Sequence, residues 1–241
     1  MDDPASALPL DGVAAALGRL ARRFATVAVV SGRPASFLAE RLGHLAGGGP
    51  GGAPGVQLIG LYGMEWVDPD GTVHLDEAAE PWLSVVEAAA DRLRAGAPDG
   101  VMVELKGPAV AVHWRRAPRA GGWADERASD VVAASGLVAH PGRLSVELRP
   151  PLAVDKGTVL RRLSHGCRAA CFLGDDIGDL PAFTELGRLR AATGLATVGV
   201  AVVDLETAPE VAAVADLTVA GPEGALAVLE WLVVGASNGG G

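Results

Sequence analysis

The sequence predicts an α/β protein whose doubly wound parallel sheet carries an inserted α+β cap domain. Three observations predict it. Short apolar runs at Thr26 to Val30, Val56 to Gly60, Ala169 to Leu173 and Thr197 to Val202 alternate with segments of helical spacing, the rhythm of strands joined by crossover helices. Between the second and third runs, residues 81 to 148 change to helix, two strands, helix, two strands, a block complete in itself. The third run ends in Gly174-Asp175-Asp176-Ile177-Gly178-Asp179, three carboxylates in one loop at a strand's C-terminal end, where open α/β sheets hold ligands.

In chain order, Asp11 to Phe24 spaces Val13, Leu17, Leu20 and Phe24 along one helical face. The next strand ends at Ser31, and Pro34 to Leu42 reads as a short helix. Gly47 to Gly55 is too rich in Gly and Pro for regular structure and forms a surface loop before the strand Val56 to Gly60. A hairpin follows around Asp70-Gly71. In the insert, Pro81 to Arg94 and Trp123 to Ala134 read as helices, with strands at Val101 to Lys106, Ala109 to Arg115, Leu137 to His140 and Leu144 to Leu148. Gly107-Pro108 and Pro141-Gly142 join the strands in pairs. From Asp155 the core resumes: a helix to Leu163, the strand of the acidic loop, a helix from Asp179, the strand Thr197 to Val202, a short strand near Leu217 and a last helix from Pro222 to Val234. The expected divisions are 1–76 and 151–234 for the core, 77–150 for the cap and 235–241 for a disordered tail.

The 241 residues, 49% hydrophobic and 20% charged, suffice for a core of this kind with a small insert. A net charge of −9 argues against nucleic acid as a partner, because phosphate backbones require clustered Lys and Arg. Met1-Asp2-Asp3-Pro4 is acidic where a signal peptide is basic and apolar, and no apolar run approaches the ~18 residues of a membrane helix. A cytoplasmic monomer without a membrane partner is expected. Cys167 and Cys171 lack the spacing of a zinc or redox pair and read as core residues or free thiols.

Crowded carboxylates repel one another unless a cation sits among them, so the acidic loop reads as a Mg²⁺ site. Asp175 is the expected direct ligand, with Asp176 and Asp179 acting directly or through water. Upstream stand Ser31-Gly32-Arg33-Pro34, closing an apolar run, and Lys156, opening a helix after Pro150-Pro151. The three segments together resemble motifs two, three and four of the haloacid dehalogenase superfamily of phosphohydrolases. That resemblance implies a haloacid-dehalogenase-like core and an aspartyl-phosphate chemistry. It also implies that Ser31 hydrogen-bonds a phosphoryl oxygen, that Gly32 and Arg33 border the substrate, and that Lys156 offsets negative charge at nucleophile and phosphate. Singly, each has a plainer reading: a Ser-capped turn, an ordinary helix start, and a loop whose acids favour a helix dipole.

Three further segments narrow the substrate: Gly60-Leu61-Tyr62-Gly63-Met64-Glu65, Glu104-Leu105-Lys106 with His113-Trp114-Arg115, and Glu147-Leu148-Arg149-Pro150. They resemble the trehalose-6-phosphate phosphatase family from Asp2 to about Leu232. A polyhydroxylated sugar demands several oriented donors and acceptors, and the resemblance implies that Glu65, Lys106, His113 and Glu147 line its pocket. It further implies trehalose 6-phosphate as partner and Mg²⁺ as cofactor, and suggests a trehalose-phosphate synthase as a second partner. A different sugar phosphate or a phosphoglycerate conjugate as substrate, or sugar-phosphate binding without turnover, are the alternatives. Three departures stand out: Gly178 where the family commonly has Thr, Leu180 where it commonly has an acid, and Tyr62 where it commonly has His.

The superfamily's first motif, DxDGT, occurs as Asp68-Pro69-Asp70-Gly71-Thr72, but in the wrong place. It follows Ser31 instead of preceding it, and Pro-Asp-Gly between Val67 and Val73 is a turn signal. In relatives the nucleophile strand lies just before an Asp-Asp-Pro segment, which here is Asp2-Asp3-Pro4. The nucleophile is therefore expected to be missing from this chain, either because its start was assigned within a longer gene, the favoured reading, or because the chain is truly shortened, and the chain as written is expected to be nearly inactive. Losing that strand should open the middle of the sheet.

Overall fold

The computed structural model describes residues 8–48, 54–205 and 207–238, and the chain divides into two compact units at 74/75 and 153/154. The expected seams were 76/77 and 150/151. No described helix is long and apolar enough to cross a membrane. The segment Met1-Asp2-Asp3-Pro4, part of the Gly47 to Gly55 loop and residues 239–241 lie outside the described residues.

The first unit contains α1 (Val13–Ala21), β1 (Ala28–Val30), α2 (Ala35–Leu42), β2 (Gln57–Gly60), β3 (Glu65–Val67) and most of β4 (Val73–Leu75). The second unit then contributes α3 (Leu83–Arg94), β5 (Met102–Lys106), β6 (Ala109–His113), α4 (Gly121–Ser135), β7 (Val138–Gly142) and β8 (Ser145–Arg149). The first unit resumes with α5 (Lys156–Leu163), β9 (Ala169–Gly174), α6 (Leu180–Thr193), β10 (Ala196–Val203), α7 (Pro209–Val214), β11 (Leu217–Ala220) and α8 (Gly221–Asn238).

In the first unit the strands do not form one sheet. One sheet runs β1-β2-β3-β4, with β1 parallel to β2 and β3 antiparallel to it; the other runs β11-β10-β9, all parallel. Among the described residues no strand joins β1 to β9, and the sheet is open between them, the opening expected from the sequence. The consequence shows in burial: β1 is only half-buried and β9 is partly exposed, although apolar strands of parallel sheets are ordinarily covered on both faces. Helix α1 packs on α8, whose Leu229 joins the cluster built around Leu17, Leu38, Val56 and Leu58.

Two expectations are corrected. The last helix runs to Asn238, so the disordered tail does not begin at Gly235. A single Gly costs a helix about 1 kcal/mol relative to Ala, too little to stop one that is already propagating. Helix α7 was not anticipated: its six residues bury only Val211, which leaves no periodicity to read.

The second unit is a four-stranded antiparallel sheet ordered β5-β6-β8-β7. Its core joins Val86, Ala90 and Leu93 of α3, Ala124, Ala128 and Val131 of α4, and Val110, Val112, Val146 and Leu148 of the sheet. Strand alternation sends the remaining residues to the opposite face. By register, Glu104 pairs with Ala111, Ala111 with Glu147, and Glu147 with His140, so these polar side chains share that face with Lys106, His113 and Arg149.

Candidate active site

The acidic loop is organised by Asp179, which is 2% exposed. One of its oxygens takes the Lys156 ammonium; the other accepts the backbone N–H groups of Asp175 and Asp176, each at 3.0 Å. The carboxylate folds back so closely beneath the end of β9 that a β-carbon on Gly174 would lie 2.6 Å from its carboxyl carbon. Only glycine fits there. Asp176 caps the turn that follows, accepting from Ile177 N at 2.6 Å, while Asp175 and Asp176 are both exposed. Partial loss of surrounding water, together with the charges of Asp179 and Asp176, pushes the Asp175 carboxyl above its usual range; Lys156 opposes the shift.

Lys156 reaches Asp179 because its helix is well started. Asp155 and Thr158 form a reciprocal capping box, with Thr158 N donating to Asp155 Oδ1 at 2.7 Å and Asp155 N to Thr158 Oγ1 at 3.0 Å. Asp179, expected among the metal ligands, thus anchors both the loop and Lys156 from a buried position.

Ser31 follows β1, held by Ser31 N donating to Ile59 O at 2.9 Å. Its Oγ accepts from Arg33 N at 3.0 Å, and a hydroxyl that accepts one bond still carries a proton to donate. The Arg33 guanidinium lies over the Phe37 ring, 4.3 Å from its centroid. Glu65 has work the sequence did not suggest: its Oε2 accepts from Ala35 N at 2.7 Å, capping α2 and bracing the turn that carries Ser31, Gly32 and Arg33. The structure brings that turn and the acidic loop together through Tyr62, whose ring lies beside both Gly32 and Gly178.

On the polar face of the second unit, Lys106 crosses β6 to reach Glu147 Oε1 at 2.9 Å. Two inter-strand spacings separate their strands, and small Ala109 and Ala111 in between leave the lysine stem room to cross. Arg149 Nη2 donates to the other Glu147 oxygen at 2.7 Å. Burial favours the neutral form of Glu147, but Lys106 and Arg149 outweigh it and hold the carboxyl below its usual range. His113 pairs with Glu104 at 3.0 Å. Arg149 and Glu104 were quoted in the sequence motifs without a role; their place follows from strand parity, two residues from Glu147 and two from Lys106.

The DxDGT string is a hairpin turn between β3 and β4. Asp68 N donates to Thr72 O at 2.8 Å, Gly71 N to Asp68 O at 2.9 Å, and Thr72 N to Asp70 Oδ1 at 2.9 Å. Asp68 also pairs with His74 at 2.6 Å.

Known proteins resemble this chain in sequence and in fold. The "Trehalose-phosphate phosphatase" of Mycobacterium marinum is 40% identical over 203 residues, covering 78% of this chain and 48% of that protein. That of Mycolicibacterium paratuberculosis is 39% identical over 199 residues, covering 76% of this chain and 47% of its own. The chain thus spans about half the length of these relatives. Among solved structures, a "trehalose-6-phosphate phosphatase related protein" superposes with a TM-score of 0.72 at 20% identity, covering 98% of this chain and 93% of its own. The C-terminal domain of a Candida albicans trehalose-6-phosphate phosphatase gives 0.72 at 22%, covering 97% and 87%. A haloacid dehalogenase-like hydrolase from Bacteroides thetaiotaomicron gives 0.60 at 15%, covering 91% of each. These likenesses show the fold, a haloacid-dehalogenase-like α/β core with a cap. A family model described as Trehalose-phosphatase matches residues 1–217, and the chain belongs to that family.

Proposed function

We propose that this chain carries the phosphate- and sugar-binding parts of an enzyme that hydrolyses trehalose 6-phosphate to trehalose and phosphate, in trehalose biosynthesis. One observation carries the reading: Lys156 is locked onto Asp179 beneath the acidic loop, while the Ser31 turn lies against the same Tyr62 ring as that loop. The phosphate-handling groups of three distant segments thus share one place in the first unit.

The charges there fit a hard cation. Three carboxylates set against the ammonium of Lys156 would repel a phosphate dianion. Asp175 and Asp176, with exposed side chains, would hold Mg²⁺, which when bound supplies the positive charge the phosphoryl group needs. Among the described residues no group of three His, Cys, Asp or Glu forms a metal cluster. Two carboxylates are within the usual number for Mg²⁺, which commonly takes one or two and completes its shell with water and substrate phosphate. Ser31 donates its hydroxyl proton to a phosphoryl oxygen, and Lys156 holds positive charge at the site's edge. The polar face of the second unit, with Lys106, Glu147, Arg149, His113 and Glu104, offers the fixed donors and acceptors a disaccharide requires.

Attack on phosphorus is the step these residues do not perform. Asp68 and Asp70 are committed to their hairpin, so we assign the nucleophile to neither, and propose that a DxDGT loop on an added apolar strand would supply it.

The test is phosphate release from trehalose 6-phosphate and glucose 6-phosphate. The chain alone is compared with a version extended by an apolar strand and a DxDGT loop. Release by the extended version, at least about tenfold faster with trehalose 6-phosphate, is expected. Equal rates on both sugars would overturn the substrate; tight binding without turnover in either version would make the protein a sensor.

A further inference from the structure

Tyr62 is the chain's single tyrosine, and it sits where the two phosphate-handling turns meet. Its backbone is left-handed, with φ 62° and ψ 10°, directly after Leu61 at φ 45°. A bulky residue keeps such a conformation only where its surroundings impose it. Two backbone hydrogen bonds do so: Leu61 N donates to Arg33 O, and Tyr62 N to Ser31 O, both at 2.9 Å. The short turn after β2 is thus strapped to the Ser31 turn, and the strap aims the tyrosine ring.

The ring's two edges meet two bare glycines. A β-carbon on Gly32 would lie 2.5 Å from Tyr62 Cζ and 3.0 Å from Cε2, so nothing larger than glycine fits while the ring is there. On the other edge, a β-carbon on Gly178 would lie 3.4 Å from Tyr62 Cε1 and 3.9 Å from Asp176 Oδ2. Gly32 belongs to the Ser31 turn and Gly178 to the acidic turn, 146 positions apart in sequence. One ring bridges them.

We propose that Tyr62 is a positioning residue: its ring is the spacer that sets the separation of the Ser31 turn from the Asp175–Asp176 turn, with Gly32 and Gly178 as its sockets. The naming of phosphate as what the two turns share rests on the function proposed above, whereas the spacer contact stands on the packing alone. A spacer acts on affinity, because turns held too close or too far apart cannot both reach one phosphoryl group.

The experiment measures inorganic phosphate binding in Mg²⁺ by calorimetry and stability in urea, on the full chain. Tyr62→Gly removes the ring yet suits the left-handed backbone, so it keeps the fold while phosphate affinity falls about tenfold. Tyr62→Phe, which keeps the ring, stays within about twofold of the unmodified chain. Gly32→Ala destabilises the unmodified chain but not the Tyr62→Gly chain, because the obstructing ring is gone. With ¹³C-labelled tyrosine, the one resonance moves when Mg²⁺ and phosphate are added. Unchanged affinity in Tyr62→Gly, or additive urea effects of Tyr62→Gly and Gly32→Ala, would overturn the spacer. Failure of the unmodified chain to bind phosphate would sink the phosphatase reading instead, and the urea cycle would still decide the spacer contact.

Discussion

Two carboxylates do different work because of what surrounds each. Asp179 is buried, and its ion pair with Lys156 is closed in by the two loop amides. Replacing it with Asn leaves the ammonium buried against an amide, and we expect Asp179→Asn to cost about 3–5 kcal/mol in urea unfolding. Adding Lys156→Met should recover part of that loss. Glu147 is also largely buried, but lies between two cations on a sheet face. Its folded-state pKa is depressed below the ordinary 4.5, so its contribution to stability is present above that pH and is lost as pH falls through the folded value. Glu147→Gln should therefore be less stable than the unmodified chain near neutrality, by about 1–3 kcal/mol. The gap should close in acid; a gap that persists well below pH 4.5 would show that the charge is not what matters.

At the scale of elements, the seat of Lys156 depends on how α5 meets α6. Arg161 from α5 and Arg188 from α6 each fork onto Glu185, with four N–H···O contacts between 2.6 and 2.9 Å. Hydrogen bonds from Arg161 and Arg188 lower the Glu185 carboxyl to about 2. A depressed carboxyl stabilises above its unfolded value near 4.5 and ceases to do so as pH falls towards 2. The difference in urea midpoint between the unmodified chain and Glu185→Gln should be constant near neutrality and shrink across that window. Because α5 begins with Lys156 and α6 follows Asp179, the same substitution should also weaken the phosphate binding proposed for this site.

On the scale of the whole molecule, the second unit has its own core and a sheet closed against two helices. About 80 residues with such a core can fold alone. Residues 75–153 expressed by themselves should show mixed helix and strand by circular dichroism and one cooperative urea transition. A gradual, probe-dependent loss of signal would mean the unit borrows stability from the rest of the chain. The first unit is organised otherwise: its two sheets end on β1 and β9, and its apolar strands there are only half covered.

The sequence by itself determined the strand and helix rhythm, the insertion of an αββαββ block, the hairpin at Asp70-Gly71 and the three loops to which the proposed chemistry is assigned. These are local: side-chain period, capping residues and turn residues act within a few positions of one another. Only the tertiary structure decided what each polar group touches. That Asp179 anchors Lys156, that Glu65 caps α2, that Arg149 shares Glu147 with Lys106, and that Tyr62 spans Gly32 and Gly178 all depend on which segments meet across long stretches of chain. No local pattern records those meetings, because they are set by packing between elements and not by propensity within them.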